Sequence, residues 1–236
     1  MHSRIRVART TGIFYLAMAF VGAIGFLLIR PQLHVPDDPI ATLTRLVERD
    51  GLARLAIALE LATVVVQALL ALSFFRLFRA VDSFMAGALA AFGMMNAVAI
   101  MGSAALVASA RQVAHGSGLA PLGGDAQVAQ LLYTISANFW DVGGLFFGLW
   151  LLPMGWLILR SGWMPRPLGW VLFVGGVGYV LSSFVTYLLP DATLLIDGLP
   201  LLATVGEFWI LGYLIIVGVR PSAVDTNPWR EGQALK

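Results

Sequence analysis

Six tracts of roughly membrane length, almost free of charge, dominate this sequence. They run from Thr10 to Ile29, Leu55 to Phe75, Ser83 to Ala110, Ala126 to Leu159, Pro167 to Pro190 and Gly198 to Val219. A helix of about 20 apolar residues is what a hydrocarbon core about 30 Å thick requires. None of the tracts alternates with period two, which disfavours an outer-membrane barrel. Backbone in lipid must satisfy its own hydrogen bonds, and helices do so within one segment. The expected fold class is therefore all-α: a polytopic integral membrane protein built as a six-transmembrane-helix bundle. Residues 1–220 form that domain and 221–236 a polar tail.

Composition agrees. Hydrophobic types make up 59% of the 236 residues and charged types 12%, about half the share of a soluble domain. That is too little charge to cover a water-soluble globule, so a soluble enzyme, a nucleic-acid binder and a disordered chain are excluded. With no cysteine, disulfide exchange, thiolate catalysis and cysteine-held metal are excluded too.

Orientation follows the arginines and the single lysine. With the N-terminus inside, the inner segments hold ten of these residues and the outer segments five, Arg30, Arg45, Arg49, Arg54 and Arg111. Inner segments carry the excess in bilayer proteins, so both termini are expected to be cytoplasmic. Trp156, Trp163 and Trp170 then form an aromatic belt at the inner interface. The first tract has an Arg-rich lead but no small-x-small cleavage site before Arg30, and reads as an uncleaved first helix. In the first outer loop, Ile40 to Glu48 sets Leu43, Leu46 and Val47 on one face, an amphipathic helix expected to lie on the outer surface.

Glycines mark close helix packing. Gly144 and Gly148 form a GxxxG pair, and Gly175, Gly176 and Gly178 crowd the fifth tract. Packing within the chain is the expectation, and a homodimer through Gly-rich faces is the alternative.

Chemistry is sought where polarity interrupts the spans, because intramembrane charge is costly and usually functional. The acids are Glu60, Asp141 and Glu207; Gln67 and Asn96 accompany them. Gln67 stands two helical turns beyond Glu60 on the same face. Counted at 1.5 Å per residue, all three acids fall in the outer half of the membrane. Their convergence would make an outward-opening pocket, with Arg54 at its rim for an anionic head group. Each acid also has a plainer use, as a hydrogen-bonding tie between helices, and Asp141 beside Trp140 suits the water interface. His2, His34 and His115 lie outside the tracts, which disfavours intramembrane Ser–His proteolysis, bis-histidine haem and helical zinc sites. No cofactor or metal motif is present.

Several segments carry a family resemblance. Phe147-Gly148-Leu149-Trp150-Leu151-Leu152-Pro153-Met154-Gly155-Trp156, Arg160-Ser161-Gly162 and Pro165-Arg166-Pro167-Leu168-Gly169 resemble the bacterial membrane family called domain of unknown function 4386. So do Thr11-Gly12-Ile13-Phe14-Tyr15-Leu16, Ala53-Arg54-Leu55 and Gly206-Glu207. The resemblance implies a six- or seven-helix protein of the bacterial cytoplasmic membrane and assigns no activity. Arg54 and Glu207 match positions of the pattern; Asp141 does not.

The expected function is non-catalytic: binding of a membrane lipid or small amphiphile in the outward-opening cavity. The alternatives are a proton-coupled small-molecule carrier using Glu60 or Glu207, a structural partner subunit, and a lipid-modifying enzyme with a carboxylate base. Nucleic acid is not an expected partner.

Overall fold

The computed structural model describes residues 2–116 and 124–220. The proposed tail and the tip of the Gly-rich segment before Asp125 lie outside them. The described residues are helical, without a strand. In order they form α1 (His2–Ala23), a π-helical stretch (Ile24–Ile29), α2 (Arg30–Leu33), α3 (Pro39–Glu48), α4 (Asp50–Phe78), α5 (Ser83–Ala114), α6 (Asp125–Ser161), α7 (Arg166–Leu188), α8 (Thr193–Gly198) and α9 (Leu201–Ile216). Six helical segments are long and apolar enough to cross a membrane, the first running from Arg4 to Leu33 and the last from Thr193 to Ile216.

The expected boundaries shift at most spans; α4 begins at Asp50 rather than Leu55 and so contains Arg54, and the last span begins at Thr193 rather than Gly198. The first span does not stop before Arg30; the helix carries this arginine and ends at Leu33. Arg111, expected in a loop, lies in the last turn of α5. A charge-free count stops a span at its first arginine. A helix stops only where its backbone bonds do, and one arginine that finds partners does not interrupt it.

The chain forms two compact units. One comprises Phe14–Leu70 and Phe92–Phe146; the other comprises Met1–Ile13, Ala71–Ala91 and Phe147–Lys236, its described part ending at Arg220. They are called the clasp unit and the glycine unit below.

In the clasp unit, α3 forms as expected and for local reasons. The Asp38 side chain accepts from the Ala41 amide at 2.9 Å, and Pro39 opens the first turn. An N-cap of this kind contributes about 1 kcal/mol. Its inward face differs from the expected one. Thr42 and Leu46 are fully buried, while Val47 is 48% exposed. Leu46 joins Ile29, Leu33, Ala53, Val107, Ala110, Ala129 and Tyr133 in one core cluster. Rather than lying free on a surface, α3 is therefore packed into the unit. Asp50, at the start of α4, binds Arg111 and Arg54, and His115 Nε2 stands 3.4 Å away. An acid at a helix start facing cations at a helix end satisfies both helix dipoles.

In the glycine unit, α6 and α7 touch through backbone. A Cβ on Gly155 would stand 2.6 Å from the Gly169 carbonyl, and one on Gly148 would stand 3.0 Å from the Gly176 carbonyl. Gly175 and Gly178 likewise admit Ala203 and Leu199. These are contacts within one chain, the packing use expected of the glycines. The turn between α6 and α7 depends on Gly162, whose φ is +65°. Ser161 Oγ accepts from the Trp163 amide and donates to the Ile158 carbonyl. Trp163 is 5% exposed and stacks on Phe78. It is thus a core residue and not part of an aromatic belt.

Candidate functional site

The polar centre of the clasp unit is built around Arg30. The π-helical stretch sets its position: the Arg30 amide donates to the Gly25 carbonyl, five residues back. Such a turn holds one residue more than an α-turn, so it displaces later side chains by about one position, ~100° of rotation. The widened turn lies beside Leu59 of α4, which a Cβ on Gly25 would meet in ordinary contact at 3.4 Å. π-turns recur at functional sites, and here the turn delivers a guanidinium.

Arg30 Nη1 lies 3.5 Å from Glu60 Oε1, each side chain 11% exposed. Nη1 also donates to Ser103 Oγ at 3.4 Å. Nη2 donates to Ser136 Oγ at 3.0 Å and to the Tyr133 carbonyl at 3.3 Å. The rings of Phe26 and Tyr133 lie 5.6 and 5.7 Å from the guanidinium carbon. Three spans thus present hydrogen-bond acceptors to one fork, an arrangement a lysine could not satisfy. Ser103 and Ser136 share a 2.7 Å hydrogen bond, and Trp140 Nε1 donates to Ser103 at 3.0 Å. Ser103 has one proton, which it gives either to Glu60 Oε1, 3.4 Å away, or to Ser136.

Three buried atoms around this centre lack a hydrogen-bond partner among the described residues: Glu60 Oε2, Tyr133 Oη and His34 Nε2. His34 stacks on Tyr133, centroids 5.1 Å apart and planes within 2°. Its imidazole is held below the usual histidine range, first by burial and then by Arg30, with Asp37 opposing. The sign follows. A depressed folded pKa means that the unfolded chain takes the proton first. Stability from neutral His34 is complete above the unfolded value of 6.5 and falls as pH drops below it. The melting temperature is expected to decline below pH 6.5 in the wild type. In His34→Phe, which keeps the stacked ring, that decline should be smaller; identical pH profiles would refute the assignment.

The other candidates are placed as follows. Gln67 and Asn96 are fully buried. Gln67 Nε2 donates to the Gly93 carbonyl at 3.2 Å, while Gln67 Oε1 and both polar atoms of Asn96 have no hydrogen-bond partner among the described residues. Gln67 stands seven residues from Glu60 on α4, and Asn96 seven from Ser103 on α5. At 1.5 Å per residue this second polar layer lies about 10 Å along the helices from the first. Asp141 is exposed on α6. Arg54 is 68% exposed, with its nitrogen 2.6 Å from Asp50. Glu207 stands half-buried on α9 in the glycine unit. Of the three acids, Glu60 alone is paired with Arg30, while Asp141 also feels the charge of that arginine.

Sequence reasoning missed Arg30, Ser103, Ser136 and Tyr133. A usable signal was present: serines set into otherwise apolar spans, and an arginine followed by Pro31, a residue that suits the first turn of a continuing helix.

The family model described as Domain of unknown function (DUF4386) matches residues 10–218. The chain belongs to this family. An uncharacterised protein of Archaeoglobus fulgidus is 36% identical over 47 residues. That stretch is 20% of this chain and 29% of the relative, so the chain spans under a third of the relative's length. No solved structure matches. This DUF4386 member is thus a helical protein of membrane type.

Proposed function

We propose that this DUF4386 protein binds a small amphiphile whose polar head enters the Arg30 centre. The observation that carries the reading is the set of buried, unpartnered atoms beside a neutralised ion pair, Glu60 Oε2 and Tyr133 Oη above all. A buried acceptor or hydroxyl left unmatched costs about 1–3 kcal/mol, and a head group that pairs with it recovers that cost. Arg30 and Glu60 cancel in charge, so the fitting head is neutral and hydroxyl-bearing, as in a monoacylglycerol. An apolar groove of about 360 Å³ between α5 and α6, bordered by Met95, Val98, Phe139 and Val142, supplies space of the size that ligands occupy. By the arginine distribution, the termini are cytoplasmic and the Arg30 centre lies in the outer half of a bacterial inner membrane.

The test uses protein purified in mild detergent. Monodecanoylglycerol is expected to raise the melting temperature of the wild type by several degrees. Tyr133→Phe, which removes the unmatched hydroxyl and keeps the ring, should fold at least as well and lose most of that shift; Glu60→Gln, which leaves Arg30 without its carboxylate and so starts from a lower melting temperature, should lose most of the shift too. Equal shifts in all three proteins would sink the reading.

A carrier reading has one observation in its favour: Glu60 Oε2 is buried with no hydrogen-bond partner among the described residues. Proton flux driven by a substrate gradient in vesicles, absent in Glu60→Gln, would favour it over passive binding.

A further inference from the structure

We propose that the turn joining α6 to α7 in the glycine unit carries a separate site for the phosphodiester head of an anionic phospholipid. A groove of about 460 Å³ opens there, lined by Trp156, Leu159, Arg160, Arg166, Trp170 and Phe173. The lining follows from helical spacing. Trp156, Leu159 and Arg160 share one face of α6, and Arg166, Trp170 and Phe173 share one face of α7. The backbone contact of Gly155 with Gly169 holds the two faces side by side.

Charge identifies the occupant. Arg160 Nη1 lies 3.6 Å from Asp82 Oδ2, so its charge is partly answered. Arg166 is exposed and has no acidic partner among the described residues. It is also the first residue of α7, where the helix dipole already presents positive charge. A cation at that end is unfavourable until an anion joins it. Two guanidinium forks are donors suited to phosphate oxygens.

Shape separates a lipid from a soluble anion. Beyond the arginines the groove is walled by Trp156, 41% exposed, and Trp170, 57% exposed, with Phe173 edge-on to Trp170 at 6.2 Å. Tryptophans exposed beside basic residues are the interfacial anchors of bilayer proteins. The site thus offers charge at one end and an apolar wall for acyl chain at the other. It shares no residue with the Arg30 centre, so its success or failure is independent of the binding function proposed above.

The experiment compares phosphatidylglycerol with phosphatidylcholine added to detergent-purified full-length protein, read as a shift in melting temperature over a lipid titration. Phosphatidylglycerol is expected to stabilise at lower concentration. At the usual contribution of an arginine near anionic lipid, Arg166→Gln should weaken the apparent affinity about fivefold, and Arg160→Gln with Arg166→Gln about thirtyfold. Arg166 has no partner to lose within the described residues, so its variant should fold as the wild type does. Equal response to the two lipids, or an undiminished phosphatidylglycerol response in the double variant, overturns the proposal. So does inorganic phosphate at millimolar concentration reproducing the whole effect, since an anion site without lipid would then suffice.

Discussion

Arg30→Met is expected to lower stability by about 3–5 kcal/mol, among the largest effects of any single substitution in this chain. The reason is what it leaves behind. Glu60 is 11% exposed at its side chain and would lose the one cationic partner it has among the described residues, while Ser136, Ser103 and the Tyr133 carbonyl would each lose a donor. An uncompensated buried charge costs far more than the intact pair contributes. The double substitution Arg30→Met with Glu60→Met should therefore recover most of the loss, because neither charge remains to be solvated. Arg30→Lys should fall between, since a point-like ammonium cannot hold two serines and a carbonyl in one plane. Thermal unfolding of the four proteins in one detergent decides the matter. A double variant as unstable as Arg30→Met would show that packing, not charge compensation, is what Arg30 supplies.

The second large effect is steric and lies in the glycine unit. In Gly155→Ala the new Cβ would meet the Gly169 carbonyl at 2.6 Å and the Phe173 amide nitrogen at 2.8 Å. In Gly175→Ala it would meet the Ala203 amide nitrogen at 2.6 Å. Backbone cannot yield as a side-chain tip can, so the helices must separate, at a cost of about 1–3 kcal/mol or more. Gly87 and Gly212 are the controls, for a Cβ at either meets nothing within 4 Å. There, alanine should be neutral or stabilise by up to about 1 kcal/mol, through helix propensity alone. Melting temperatures of the four single variants test this. A Gly155→Ala protein as stable as Gly87→Ala would mean that the α6–α7 contact is not close in the folded chain.

These two predictions differ in how far the sequence anticipates them. The glycine contacts were legible as a class. Gly148 and its neighbours stand in spans where lipid offers helices no hydrophobic reason to associate, so small residues mark approach. The partners were not legible: that Gly155 meets Gly169 depends on the angle at which α6 and α7 return from the Gly162 turn. Glu60 was likewise legible as an intramembrane acid, whereas its partner was hidden. Arg30 read as a loop cation because an uncharged tract ended there. Asp141 and Arg54, equally conspicuous in sequence, are exposed, since spacing alone does not say which face of a helix turns inward.

The sequence by itself determined the helical class, the six spans, the short helix after the first span and the presence of an acid, Glu60, within the second span. Hydrophobic tract length and side-chain spacing are local quantities, written in consecutive residues. Tertiary structure alone decided that Arg30, Glu60, Ser103, Ser136 and Tyr133 meet. Their meeting depends on the rotational phase of several helices. One π-turn between Ile24 and Ile29 shifts that phase by about 100°, with no residue pattern that announces it.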